Sequence, residues 1–287
     1  MITDSGLGGL AVCAGIEERL RDAQVDLELL YVNANPAADG GYNSLASQGD
    51  RIAMFDRFLK GSSLIYEPDR IAIACNTLSV IYNDTEFSRE TRVPVDGIVD
   101  AAVQMSRSHL SENPEHGLIV FATETTTEAG TYPRLIQAEK GLLVAQACPD
   151  LASAITSDAS GAACHALLNE YARVALDNFD ERPGTVASLL ACTHYGYQSN
   201  IFSQVLRDQG VKSITLDPNA LMVEQLIAGL NDFRLTGSDA LRVRFISRFP
   251  IPEVEIDSVQ TYLNDRAPLT LAALENHEIQ PNLFLNK

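Results

Sequence analysis

The chain has 287 residues, about twice the ~150-residue domain prior, so one large or two medium domains are expected. Hydrophobic residues make up 46% and charged residues 21%, which excludes a disordered or collagenous chain and leaves ample apolar material for a core. Set against 38 Asp and Glu, the 21 Lys and Arg leave a formal charge of -17, which would repel phosphate backbones and anionic lipid; nucleic-acid and membrane partners are not expected. No apolar run approaches the ~20 residues of a membrane span, and Met1 to Asp4 open no basic-then-apolar leader. The simplest location is the cytoplasm.

Taken in chain order, short runs rich in Ile, Leu and Val alternate with stretches of helical period, the pattern of strands buried on both faces by crossover helices. A glycine-rich segment, Asp4-Ser5-Gly6-Leu7-Gly8-Gly9, leads into a helix over Leu10 to Leu20. Strands are predicted at Leu27 to Val32, Arg70 to Ala74, Gly117 to Phe121, Leu142 to Ala145, Val186 to Ala191 and Ser213 to Leu216. Helices are predicted at Leu45 to Leu59, Ile98 to Leu110, Ala159 to Asn178, Ile201 to Gln209 and Asn219 to Asn231, with one more at Val254 to Leu263. The fold class is α/β: two pseudosymmetric domains, each a mainly parallel sheet flanked by helices, with the site in the cleft between them. Pro94 to Ile98 marks the boundary, giving a first domain of residues 1–97 plus 213–287 and a second of 98–212.

Five cysteines form an odd set with no CxxC pair, which argues against a disulfide framework and a zinc site. Cys13, Cys148 and Cys164 read as structural. Cys75 and Cys192 differ from these, because each closes an apolar strand and is followed at once by polar side chains: Ile71-Ala72-Ile73-Ala74-Cys75-Asn76-Thr77 echoes Ser188-Leu189-Leu190-Ala191-Cys192-Thr193-His194. In open parallel sheets, ligands bind just beyond the carboxyl ends of strands. Two thiols facing each other there suit two-base racemisation or epimerisation, one thiolate removing a proton from carbon while the opposite thiol delivers one to the other face. Asp4 and His194 are the natural assistants, one for each thiol. The glycine-rich turn could present backbone N–H groups to an anion, or Asp4 could simply cap the helix that follows. The cluster Thr123-Glu124-Thr125-Thr126-Thr127-Glu128 could bind a carboxylate or merely cap its own helix.

In combination these segments resemble glutamate racemase, of the aspartate/glutamate racemase superfamily. The resemblance rests on Asp4-Ser5-Gly6-Leu7-Gly8-Gly9-Leu10, on Cys75-Asn76-Thr77, on Thr123 with Thr126, and on Cys192-Thr193-His194-Tyr195, in the same order and spacing through most of the chain. His194 stands where aspartate racemases usually carry Glu. The resemblance implies cofactor-independent interconversion of L- and D-glutamate for peptidoglycan synthesis; no metal is expected, because His109, His116, His165 and His277 have no metal-ligand spacing. Cys75 and Cys192 would be the acid/base thiols, Asp4 assisting the first and His194 the second. Ser5, Tyr42, Asn76, Thr77, Thr123, Thr126 and Thr193 would hold the substrate, an acidic amino acid. A homodimer is left open.

The sequence also departs from that family. Asn33-Ala34-Asn35-Pro36 and Gly41-Tyr42-Asn43 replace its Asp-Thr-Ala and Pro-Tyr-Gly segments, and Thr156 stands where it has a catalytic-site Glu, the nearest carboxylate being Asp158. Only Met1 to Thr3 precede Asp4, so either the start lies earlier or the first strand is clipped. The alternative reading is therefore a catalytically inactive or substrate-shifted homologue that binds a different acidic amino acid or a partner. A third reading makes one cysteine a nucleophile in Cys-His acyl transfer.

Overall fold

The alternation of apolar runs and helical stretches becomes, in a computed structural model, two parallel sheets covered by helices; residues 1–23, 25–38, 40–158, 160–230 and 241–285 are described. The first sheet contains β1 (Ile2–Asp4), β2 (Glu28–Asn33), β3 (Ile71–Ile73) and β4 (Val95–Gly97). The second contains β5 (Gly117–Ala122), β6 (Leu143–Ala147), β7 (Thr185–Ala191) and β8 (Lys212–Leu216), and the chain then returns to the first sheet with β9 (Arg242–Ser247) and β10 (Glu278–Ile279). Strand orders are β10-β9-β2-β1-β3-β4 and β6-β5-β7-β8.

Helices α1 (Leu10–Leu20), α2 (Gln48–Tyr66), α3 (Asn76–Tyr82), α4 (Phe87–Glu90) and α5 (Ile98–Glu112) connect the first set of strands and lead into the second. The second sheet carries α6 (Glu124–Glu128), α7 (Thr131–Ile136), α8 (Leu151–Ser157), α9 (Ala162–Asp177) and α10 (Ser199–Asp208). Then follow α11 (Pro218–Leu230), α12 (Glu253–Leu263) and α13 (Pro268–Glu275), with 3-10 turns at Tyr42–Ser44 and Thr193–Gln198. Among the described residues no helix is long and apolar enough to cross a membrane.

Several boundaries move for identifiable reasons. The expected return to the first half at Ser213 falls inside β8, which pairs with β7 from Thr185↔Lys212 to Leu189↔Leu216; the second sheet therefore runs on to Leu216. The helix expected from Leu45 starts at Gln48 because the Ser47 hydroxyl accepts the Asp50 N–H at 3.1 Å, an N-cap. The helix expected from Ala159 starts at Ala162, after Gly161 at φ 76°; Ala159 itself, like Asn231 at the end of another expected helix, lies outside the described residues. β9 was hidden because Arg242 and Arg244 interrupt its apolar run. At the exposed sheet end they pair with Asp26 at 2.9 Å and Glu278 at 2.8 Å.

The C-terminal part is bound to the front of the chain by a buried carboxylate. Glu17 of α1 accepts N–H bonds from Leu269 (2.9 Å) and Thr270 (2.7 Å) and the Thr270 hydroxyl (2.7 Å), so it caps the first turn of α13. A carboxylate buried there is offset by charge-assisted hydrogen bonds and by the positive end of the helix. Around it Leu10, Val12, Ile16, Val223, Leu226 and Leu274 form one apolar cluster that locks α1, α11 and α13 together, each fully buried Leu or Ile contributing roughly 1.5–3 kcal/mol.

Candidate functional site

Register places the candidate groups. In the first sheet Thr3 pairs with Ile73 and Asp4 with Asn33, so Asp4, Asn33 and Cys75 gather at the carboxyl ends of β1, β2 and β3. In the second, Ala122 pairs with Ala191, which sets Thr123 and Cys192 side by side at the carboxyl ends of β5 and β7. Both cysteines are the last extended residues before a helical turn, Cys75 at φ -144°, ψ 121° and Cys192 at φ -152°, ψ 130°. The sequence echo is thus an echo of backbone conformation as well.

Asp4 is the hub. It is 1% exposed; Oδ1 accepts the Ser5 N–H at 2.6 Å and Oδ2 accepts the Thr193 hydroxyl at 2.7 Å. Ser5 Oγ lies 3.5 Å from Asp4 Oδ1 and 3.4 Å from Cys75 Sγ. Cys192 Sγ lies 3.7 Å from His194 Nδ1. Asp4 therefore touches Ser5, the escort of Cys75, and Thr193, the residue between Cys192 and His194.

The glycine-rich turn is shaped for this contact. A Cβ on Gly8 would fall 2.4 Å from Thr193 Oγ1 and 2.7 Å from the His194 backbone nitrogen, so only glycine lets the two segments meet. The turn is held by two phenols: Tyr31 donates to the Gly6 carbonyl and Tyr197 to the Leu7 carbonyl, each at 2.7 Å.

Electrostatics hold both sulfurs as thiols in the resting protein. Burial pushes Cys75 well above the ordinary thiol range and the Asp4 charge adds to this; the Ser5 hydroxyl and the N–H groups of Ser5 and Leu78 oppose it. Cys192 is pushed up to about 12 by burial and then by Asp4, opposed by the N–H groups of His194 and Tyr195. Burial lowers His194, while Asp4 pulls it back up. Burial thus disfavours the charged ring, and His194 Nδ1 faces Cys192 Sγ.

Three hydroxyls close a triangle across the two halves. Thr77 Oγ1 lies 2.9 Å from Thr123 Oγ1 and 3.4 Å from Thr126 Oγ1, and the Thr123 and Thr126 hydroxyls are 3.0 Å apart. Thr123 also accepts the Thr126 N–H at 3.4 Å as the N-cap of α6, so its capping and site positions coincide. Tyr42 packs its buried ring with Cys75 and edge-on to Phe55, centroids 6.1 Å apart, and its hydroxyl finds no partner among the described residues. Asn43 Oδ1 accepts the Thr125 hydroxyl at 2.7 Å, and Arg51 binds the Tyr42 carbonyl at 3.1 Å and Glu128 at 3.4 Å. These contacts tie the altered segment to the second half.

Neither Thr156 nor Asp158 supplies the missing second carboxylate. The Thr156 hydroxyl donates back to the carbonyls of Ser153 (3.2 Å) and Ala152 (3.3 Å) within α8. Asp158 is half-buried and accepts N–H bonds from Ser160 and Ala163, at 3.0 and 2.9 Å; bonding to Ser160 leads the causes that lower its pKa. Sequence reasoning missed Tyr132, which donates to Asn76 Oδ1 although 56 positions separate them, and Asn219, whose amide donates to the Thr193 carbonyl at 3.3 Å. No local pattern announces either contact. Among the described residues no group of three or more His, Cys, Asp or Glu side chains could hold a metal ion.

Fold and site together define a class: α/β proteins with two parallel sheets whose strand ends carry paired thiols escorted by a carboxylate and an imidazole. Within it, the curated proteins similar to this chain are glutamate racemases. The Aquifex pyrophilus enzyme is 27% identical over 252 residues, covering 87% of this chain and 89% of its own; that of Corynebacterium diphtheriae is 26% identical over 268 residues, covering 88% and 94%. Among solved structures, glutamate racemase from Francisella tularensis in complex with D-glutamate matches with a TM-score of 0.73 at 23% identity, covering 97% of this chain and 96% of that one. No family model matches the chain. The resemblance read from the motifs is borne out: the chain is similar in sequence to curated glutamate racemases and in fold to a solved one.

Proposed function

We propose that the protein is a cofactor-independent racemase that interconverts L- and D-glutamate through two thiols. One observation carries the reading: Cys75 and Cys192 share a backbone setting at equivalent strand ends, each with a polar side chain at its sulfur, Ser5 at Cys75 and His194 at Cys192, and Asp4 binds Ser5 and the Thr193 that separates Cys192 from His194. The names of the relatives support glutamate as the substrate.

In the reaction, one sulfur as thiolate takes the Cα proton, the bonding pair stays on carbon and spreads into the carboxylate, and the opposite S–H protonates the other face. The second sulfur is then the thiolate, and the enzyme is poised for the reverse direction. Developing charge on the substrate carboxylate calls for fixed donors in a dry site, which the hydroxyls of Thr77, Thr123 and Thr126 and the amide of Asn76 can supply. Because both thiols are raised, forming the attacking thiolate requires a partner to take its proton. His194 is suited to do this for Cys192, and Asp4 through Ser5 for Cys75. We further propose a cytoplasmic protein supplying D-glutamate for peptidoglycan, built as two units of residues 1–97 with 217–287 and 98–216.

The test is incubation with L-glutamate and separately with D-glutamate, following optical rotation to zero. Inversion of both enantiomers supports the reading. Inversion of another acidic amino acid in place of glutamate would redirect the substrate, and inversion of none would contradict the racemase assignment.

A further inference from the structure

Asn76 is 2% exposed and its two side-chain ends are treated differently: Oδ1 accepts the Tyr132 hydroxyl, whereas Nδ2 is buried with no hydrogen-bond partner among the described residues. A buried amide nitrogen without an acceptor is costly, about 1–3 kcal/mol, and such atoms in a folded protein call for an explanation. Here the residue follows Cys75 directly and precedes Thr77 of the hydroxyl triangle, so the orphaned donor lies within the site.

A carboxamide is ambiguous in what it offers. Rotated by half a turn it would present an acceptor to the same place and repel an anion. Tyr132 settles the orientation: Asn76 Oδ1 is the acceptor its hydroxyl finds among the described residues, so a flipped amide would leave the phenol proton without one. Its ring is buried in the second half, among Val99, Val120 and Ile136, and burial holds the phenol far above its ordinary range, so it keeps its proton and can donate.

Resting on the racemase reading, we infer that Tyr132 is a positioning residue: its hydroxyl fixes the Asn76 amide so that Nδ2 presents its N–H donors to an anionic group of the substrate. The contact reaches Asn76 of α3 from α7, so it also makes correct presentation depend on both halves being in place. Tyr132 acts through Asn76 and touches neither sulfur by hydrogen bond among the described residues.

The test is a cycle of Tyr132→Phe, Asn76→Ala and the double variant, with KM and kcat for glutamate, thermal midpoints, and side-chain amide NMR of the full chain. Tyr132→Phe keeps the ring, so the fold should hold. It should raise KM about tenfold, the size of one charge-assisted hydrogen bond, with a smaller change in kcat. In the double variant Tyr132→Phe should add nothing to Asn76→Ala. The Asn76 NH2 resonances, assigned by their loss in Asn76→Ala, should move in Tyr132→Phe. Unmoved resonances would overturn the inference whether or not glutamate is turned over, and so would losses that add in the double variant. A wild-type chain that moves these resonances on Tyr132→Phe yet racemises no glutamate would sink the substrate reading and leave the positioning role standing.

Discussion

Cys75 is approached from another strand, by Ser5 and through it Asp4, whereas Cys192 is approached from its own turn by His194 two residues on. The two thiols share φ, ψ and place in the sheet, but not their company. A repeated strand-turn design fixes where a thiol stands; the groups that tune it come from parts of the chain that are not repeated. The second side has no carboxylate of its own, since Thr156 bonds within α8 and Asp158 caps the turn before α9. Asp4 instead lies between the sides, bonded to Ser5 on one and to Thr193 on the other.

That asymmetry can be broken most completely at sulfur. Cys75→Ser and Cys192→Ser should each lower racemisation by at least about 10³-fold, since each would remove an acid/base partner of the proposed reaction; polarimetry from both enantiomers checks this. Next in size, Asp4→Asn should lower kcat/KM about 10²-fold. Because enantiomers have equal free energies in water, kcat/KM must stay equal in the two directions, so differences between the sides must be read from Cα deuterium isotope effects. Asp4→Asn should raise these effects from both enantiomers. His194→Asn, with a loss of about tenfold, should raise them chiefly from the enantiomer whose proton Cys192 removes.

Smaller effects sharpen the picture of how the halves meet. Gly8→Ala would drive a Cβ into Thr193 and His194 and should destabilise by about 1–3 kcal/mol, read from a denaturant midpoint. The mildest effect is on pH dependence. Cys192 has a folded-state pKa raised to about 12 by burial, so its contribution to stability is fully present below the unfolded thiol value of about 8.5 and is lost as pH rises toward the folded value. Midpoints should be flat with pH near neutrality, decline above about pH 8.5, and decline less steeply in Cys192→Ala.

The strand ends, the paired thiols, Asp4 with its glycine-rich turn and the threonine cluster are all legible in the sequence, because each depends on local order: an apolar run, then a polar turn. Contacts between distant segments are not legible in that way. Tyr132 to Asn76, Thr193 to Asp4 and Glu17 to Thr270 span 56, 189 and 253 positions, and only the packing of sheets and helices brings them together. β9 escaped because its arginines serve ion pairs at the sheet end, and β8 was assigned to the wrong half because strand pairing, unlike strand formation, carries no local signal.

The central claim is that two different sulfurs handle the proton on the two faces of one carbon. It is tested most directly by converting L-glutamate in deuterium oxide and following Cα deuterium in substrate and product at early times. Two thiols predict that D-glutamate is formed fully deuterated while the remaining L-glutamate is still protiated. Equal early labelling of both enantiomers, or product that retains the substrate proton, would show a single base acting on both faces and contradict the account.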